Sequence, residues 1–561
     1  MTTNQITGGE ALVRMLKLHG VNVIFGLCGD TSLPFYDALY RSAGDLTHVL
    51  TRDERHAAYM ADAYARVTGR VGVCEGPSGG GATYIAPGVV EASESSIPLL
   101  AITSDISVSS RGRYTLTELN QEAMFGPLTK FTQVIDNAAD LPRILRRAFQ
   151  EMTTGRPGAA HIGLPFDVQQ QPVDEADIWA EEEFGRYPAR RTGPDPVAVE
   201  TAAELISKAR QPLFLCGGGV VISGAEQELE VLAKKIDAPI ATTISGQGSI
   251  ADDHLLSLGV VGSNGGTPAT RKVVDAADLV IFVGCRAGSV TTERWRHPAP
   301  GAAKIIHIDV DPAVMGASYR PDAALVGDAR LCLTALEAAV SKRDADGAQQ
   351  LVGHARKEKY AEFRELAKST AVPIRPERVI DELQRQLLQD AVIVADPGTP
   401  CPYFSAYYEI RDTGRTFISN RAHGALGFAL PAAVGAYYGR SGSKCVAVMG
   451  DGSFGMAVGE LETIRRLGVP VTMIVFSNSA FGWIKAGQRS GYDGRYYSVD
   501  FTRTDHAAVA EAYGIKSWTV AEPDQLAPVL RAALESDKPT LVDIITQPLQ
   551  EARAPVSEWV A

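Results

Sequence analysis

The chain has 561 residues, 45% of them hydrophobic and 21% charged, with a formal net charge of −12. At roughly 100–200 residues per domain this length predicts about three domains, with core enough to need no disulfide or metal staple. The acidic balance excludes a general nucleic-acid binder, which needs a basic face, and no run reaches the ~18–20 uninterrupted apolar residues of a membrane-spanning helix.

The first residues carry no basic segment followed by an apolar run, so no signal peptide is expected and the chain reads as soluble and cytoplasmic. The seven cysteines lie scattered at 28, 74, 216, 285, 332, 401 and 445 without a C-x-x-C pair, which fits reduced thiols. Short apolar runs at 21–27, 70–76 and 98–105 read as buried parallel strands, and the pattern at 54–69 between them as a helix. The charged stretch 176–197, ending in Gly and Pro, reads as a linker. Runs at 211–221, 238–244, 278–285 and 303–311 predict strands of a second block. The polar, helical stretch 341–372 reads as a connector, and 445–452 and 471–478 are the clearest strands of a third block. The fold class is therefore α/β, with three parallel-sheet domains at 1–180, 195–342 and 373–561. The first and third blocks have the look of distant structural relatives.

The densest local signal is GDGSFGMAVGELETIRRLGVPVTMIVFSN at 450–478. It predicts a strand ending at Met449, a Gly-Asp-Gly turn, a helix, and a second strand ending at Asn478. Gly450 and Gly452 allow close backbone approach to a phosphate, and the following helix start offers unpaired N–H groups. Asp451 supplies a carboxylate oxygen, Asn478 an amide oxygen, and a backbone carbonyl near Ala480 could complete the protein's share. Mg²⁺ takes such hard oxygens and commonly shares its shell with substrate phosphates.

This segment resembles the cofactor motif of the thiamine-diphosphate-dependent acetolactate synthase and pyruvate decarboxylase superfamily. The motif usually ends in two Asn; here Ser477 replaces the first and Asn478 matches the metal ligand. RDERHAAYMADAYARVTG at 52–69 is similar to the superfamily's Glu before an Ala-rich helix. The resemblance makes Glu54 the carboxyl that activates the cofactor at pyrimidine N1′. SNRAHGALGFALPAAVGA at 419–436 resembles the segment that bends the cofactor, with the Gly424 carbonyl on the 4′-amino group and Leu426 between the rings. The cofactor-binding set so implied is Glu54, Gly424, Leu426, Gly450, Asp451, Gly452, Ser453, Asn478 and Ala480, with Asp451, Asn478 and Ala480 on the metal. The resemblance implies a pyrimidine-binding, a central Rossmann-like and a diphosphate-binding domain, and at least a homodimer (or a dimer of dimers), because Glu54 and the diphosphate site come from different subunits.

The residues that would choose the reaction are mixed. FGLCGD at 25–30 resembles the decarboxylase version, placing Asp30 where those enzymes keep a proton-transferring acid. Asp30 equally suits an Asx turn capping the next helix. The paired His of the decarboxylases is replaced by Arg113 and Tyr114, and Arg113 would suit an anionic substrate. Gln121 resembles the synthase Gln over the reaction centre, with Asn120 in place of its Phe neighbour. His423 is a candidate acid/base. GGGV at 217–220, GCRAGS at 284–289 and IDVDP at 308–312 resemble the nucleotide region of the central domain; non-redox FAD, another nucleotide and an empty domain all fit it. The expected activity is a carboligase or lyase on a 2-oxo acid donor and a carbonyl acceptor, most like acetolactate synthase. The alternatives are a non-oxidative 2-oxo-acid decarboxylase and a catalytically silent regulatory homologue.

Overall fold

The computed structural model describes residues 5–42, 44, 46–343 and 347–559. Part of the expected connector, 344–346, lies outside them. By packing, the chain divides into two compact units: Met1–Arg190 with Asn420–Gly442 and Ala457–Val469, and Arg191–Ser419 with Ser443–Met456 and Pro470–Ala561. Among the described residues there are three six-stranded sheets, all parallel, and one short antiparallel ribbon pairing Gln5–Thr7 with Pro172–Asp174.

The first unit holds β1 (Val23–Gly26), β2 (Thr47–Leu50), β3 (Gly72–Gly76), β4 (Leu99–Asp105), β5 (Phe131–Val134) and β6 (Ala160–Pro165), in the order β2-β1-β3-β4-β6-β5. Leu12, Leu16, Ile144 and Phe149, from two helices, pack with Ile24, Val73, Leu100 and Ile162 in one core. The helix Glu54–Thr68 starts at the Asp53 cap, whose side chain accepts the Arg55 amide, and stops at Gly69 in the left-handed region. It is buried nearly all round, as is the helix Ala429–Gly439, on which it packs. A helix apolar on every side belongs in an interior. The contact needs Gly435: a Cβ there would stand 1.9 Å from the Met60 carbonyl oxygen. Tyr59 meets Phe428 edge-on at 5.1 Å, a geometry that aromatic quadrupoles favour.

The second unit holds two sheets. One contains β7 (Pro212–Cys216), β8 (Ile240–Thr242), β9 (Ser257–Val260), β10 (Leu279–Val283), β11 (Lys304–Asp309) and β12 (Ala323–Val326), ordered β9-β8-β7-β10-β11-β12. This is the strand order of the Rossmann fold. The other contains β13 (Val392–Ala395), β14 (Phe417–Ile418), β15 (Cys445–Gly450), β16 (Thr472–Ser477), β17 (Lys516–Val520) and β18 (Thr540–Ile545), ordered β14-β13-β15-β16-β18-β17. Counted within each sheet, its order is that of the first unit. The likeness suspected between the first and third blocks is thus present in their topology.

Two local expectations change. The triple glycine is not part of a strand: β7 stops at Cys216 and a short helix, Gly218–Ser223, begins there. Its glycines serve close packing, since a Cβ on Gly219 would lie 2.6 Å from the Gly284 Cα. The Gly-Asp-Gly segment is no separate turn either. β15 runs through Gly450 and a helix starts at Asp451 itself. All seven cysteines are unpaired, and no helix among the described residues is long and apolar enough to cross a membrane.

Candidate functional site

Ligands of open parallel sheets bind beyond the carboxyl ends of the strands, where the strand order reverses. In the third sheet that point lies between β13 and β15, and both strand ends carry acids. Asp396 follows β13 and is fully buried, and Ser453 donates its hydroxyl hydrogen to it. Asp451 follows β15. Its Oδ2 accepts the amides of Asn478 at 2.8 Å and Ser479 at 2.6 Å, and its Oδ1 accepts that of Gly452 at 2.9 Å. These bonds tie the end of β15 to the end of β16. Burial pushes the Asp451 carboxyl above its usual range, and the three amide bonds oppose the shift.

The donor set fits a magnesium–diphosphate group. Asn478 Oδ1 is buried and has no hydrogen-bond partner, a state that costs about 1–3 kcal/mol unless a ligand satisfies the atom. A Cβ on Gly450 would meet nothing within 4 Å, so its backbone faces open space, whereas Gly452 is closed by the Phe481 ring at 2.7 Å from such an atom. Ala480 is buried at the start of the next loop, beside Ser479 in the left-handed region at φ 57°. No group of three His, Cys, Asp or Glu side chains gathers for a metal among the described residues. One carboxylate, one amide and one carbonyl make the partial shell expected when phosphates complete it.

The first unit holds the remaining residues. Glu54 opens its helix beside the end of β3, with Gly76 and Gly81 leaving room: a Cβ at either would stand 3.1 Å from Glu54 Cγ or 2.9 Å from its Oε1. The carboxyl is buried, and no other described residue hydrogen-bonds to it. Burial, then the charges of Asp53 and Glu75, raise it above the usual carboxylate range. A buried carboxyl kept in reach of its proton fits a ring-nitrogen partner such as pyrimidine N1′. Gly424, in the left-handed region at φ 75°, and Leu426 lie in the loop before the helix Ala429–Gly439.

Glu91 orders that loop, and the sequence reading missed it. It is fully buried and accepts the His423 amide at 2.7 Å and the Ala422 and Gly424 amides at 3.4 Å. Arg66, itself paired with Asp62, donates to it at 3.2 Å. A Glu within an amphipathic stretch gives no sequence sign of this role. The His423 ring is exposed.

The residues expected to choose the reaction are placed unevenly. Asp30 is exposed after β1, its carboxylate accepting the Thr31 amide at 2.9 Å. Arg113 and Tyr114 are exposed on the loop after β4. Gln121 is turned into the sheet. Thr132 bonds His161 Nδ1 at 2.8 Å, His161 Nε2 bonds Thr103 Oγ1 at 2.7 Å, Thr103 bonds Gln121 Oε1, and Gln121 Nε2 donates to the Ser104 carbonyl at 2.9 Å. Both ends of its amide are engaged within the protein.

Comparison with known proteins agrees with this layout. Residues 6–124 match the N-terminal TPP binding domain of thiamine pyrophosphate enzymes, 199–336 their central domain and 396–544 their C-terminal TPP binding domain. The chain is 36% identical over 556 residues to a probable acetolactate synthase large subunit of Methanocaldococcus jannaschii, covering 97% of this chain and 92% of the relative. It is 33% identical over 565 residues to an acetolactate synthase of Arthrospira platensis, with 96% and 94% covered. It is 32% identical over 546 residues to the acetolactate synthase isozyme 2 large subunit of Escherichia coli, with 97% and 96% covered. Three parallel-sheet α/β domains and matches along nearly the whole chain place this protein in the thiamine pyrophosphate enzyme family, with acetolactate synthase large subunits among its relatives.

Proposed function

We propose that this protein is a thiamine-diphosphate- and Mg²⁺-dependent carboligase of the acetolactate synthase kind. It would join the acyl part of a 2-oxo acid, pyruvate first among them, to a carbonyl acceptor and so form a 2-hydroxy ketone. The observation that carries this reading is the Asp451–Asn478 bond between the ends of β15 and β16, next to the strand-order reversal, with Asn478 Oδ1 buried and unsatisfied.

Bound thiamine diphosphate supplies an electron sink for carbon–carbon cleavage and formation. Asp451, Asn478 and the Ala480 carbonyl would hold Mg²⁺, and Gly450, Gly452 and Ser453 the diphosphate. Glu54 would give and take a proton at pyrimidine N1′, a task its raised carboxyl suits. The Gly424 carbonyl would accept from the 4′-amino group and Leu426 would pack against the cofactor. His423 and Asp30, both exposed, are the groups available to move substrate protons. Gln121 acts by bracing the end of β4 unless its amide is released from Thr103 and Ser104. Domain limits of 1–180, 195–342 and 373–561, assembly as a homodimer or homotetramer with Glu54 serving the partner's diphosphate site, and a cytoplasmic location complete the reading.

The test is a screen of 2-oxo acids with aldehyde and ketone acceptors, read by mass spectrometry, with thiamine diphosphate and Mg²⁺ present. Cofactor-dependent consumption of pyruvate with a 2-hydroxy ketone product is expected. Aldehyde alone would move the assignment to a decarboxylase with Asp30 as acid, and no cofactor binding or turnover would leave the silent homologue. A flavin spectrum in the purified protein would assign FAD to the central domain.

A further inference from the structure

Ser477 departs from the motif that this segment otherwise resembles, where an Asn stands in its place. Its surroundings are also unusual. Ser477 ends β16, Asp543 lies on the neighbouring β18, and His506 is the first residue of the helix His506–Ala512. All three are buried, at 4%, 1% and 7% exposure. The Ser477 hydroxyl donates to Asp543 Oδ1. His506 Nδ1 lies 3.1 Å from Ser477 Oγ and 3.4 Å from Asp543 Oδ2. Since the serine hydrogen goes to Asp543, Nδ1 carries the proton and donates, which closes a three-membered ring of bonds.

Ser, His and Asp together invite comparison with a nucleophilic triad. The geometry excludes it. A triad places the acid on one ring nitrogen and the serine on the other, whereas here both meet Nδ1. The serine gives its hydrogen to the acid, not to the imidazole, and is closed to substrate.

What the ring does is hold the end of β16. The Ser477 carbonyl accepts the Thr546 amide at 3.0 Å, so both backbone and side chain of Ser477 are anchored to β18 and the loop after it. The very next residue is Asn478, whose amide binds Asp451 and whose Oδ1 is left unsatisfied. The other side of the imidazole is set by Phe454, edge-on at 5.3 Å, from the helix that begins at Asp451. His506 thus touches the elements that carry both oxygen donors, that of Asn478 through Ser477 and that of Asp451 through Phe454.

We propose that Ser477, His506 and Asp543 form a positioning device that fixes the Asn478 amide for a divalent cation bound with Asp451. It rests on the reading of Asp451 and Asn478 as that cation's ligands. Serine is shorter than asparagine, and the imidazole of His506 fills the reach that the shorter side chain gives up.

The test measures Mn²⁺ affinity of the full chain with thiamine diphosphate, from the paramagnetic resonance of free Mn²⁺. Partners that orient metal ligands typically contribute about 10–100-fold to affinity, so Ser477→Ala and His506→Ala are expected to weaken Mn²⁺ by that factor. Ser477→Thr, which keeps the hydroxyl, should lose less than Ser477→Ala, and His506→Asn, which keeps a donor near the Nδ1 position, should lose less than His506→Ala. Activity lost by Ser477→Ala at limiting Mg²⁺ should return at saturating Mg²⁺, a split that general loosening of the fold would not give. Mn²⁺ affinity of Ser477→Ala within about twofold of the unaltered protein overturns the device while Asp451→Asn still abolishes binding. Should Asp451→Asn bind Mn²⁺ normally, the ligand assignment itself fails and the device with it. If His506→Ala does not fold, Ser477→Ala and His506→Asn decide.

Discussion

Burial raises the Glu54 carboxyl above the usual carboxylate range, and the charges of Asp53 and Glu75 add to the rise. A glutamine has the same shape but cannot exchange a proton. Glu54→Gln is therefore expected to abolish proton exchange at C2 of bound thiamine diphosphate while the cofactor still binds; near-normal exchange, read by NMR after quenching in deuterated buffer, would remove Glu54 from its role. His161 gives a pH-dependent case. Burial lowers its pKa from 6.5 to about 3, below the unfolded value. A group depressed in the folded state contributes fully above its unfolded pKa, and that contribution is lost as pH falls from 6.5 toward 3. At ~1.4 kcal/mol per pH unit the ceiling is roughly 4–5 kcal/mol. The urea midpoint should thus fall between pH 7 and pH 4.5, and fall less in His161→Gln. Glu54 and Asp451 were legible as residues because motif spacing marks them. Glu91 and His161 were not, because a partner distant in sequence gives each its function.

At the scale of elements, the helix pair Glu54–Thr68 and Ala429–Gly439 governs how Glu54 and the Gly424–Leu426 loop are held within the first unit. Their closeness depends on a glycine facing a carbonyl. Gly435→Val would drive a side chain into the Met60 carbonyl, a backbone atom that cannot swing away. Overpacking of this kind costs about 1–3 kcal/mol or more. The expected result is a lower thermal midpoint and weaker cofactor binding; an unchanged midpoint would mean that the helices separate without cost. The Ala-rich pattern of both helices was readable as burial. Which helix met which, and at what distance, was not, since small residues permit close approach to any smooth partner. The Gly-Asp-Gly segment taught the converse. Its glycines suggested a turn, but the strand runs through Gly450 and the helix begins at Asp451, whose carboxylate accepts amides from the end of another strand.

For the whole molecule, the prediction concerns assembly. If, as proposed, Glu54 serves a partner's diphosphate site, the protein should sediment as a dimer or larger in the presence of cofactor and Mg²⁺, and dilution or chelation should shift it toward smaller species with loss of activity. A fully active monomer in sedimentation velocity would refute that arrangement. The sequence by itself determined the α/β class, the run of parallel strands, the thiamine diphosphate motifs and the family, because apolar periodicity and short spacings between chemically necessary residues are local properties. Only the tertiary structure decided that the outer two sheets share one strand order and that the central sheet has the Rossmann order. It alone showed that Gln121 is bound up inside its sheet, that Glu91 orders the Gly424–Leu426 loop, and that Ser477 is tied to His506 and Asp543. Those facts depend on which groups meet across tens or hundreds of residues, and hydrogen bonds between such groups leave no spacing in the chain to be read.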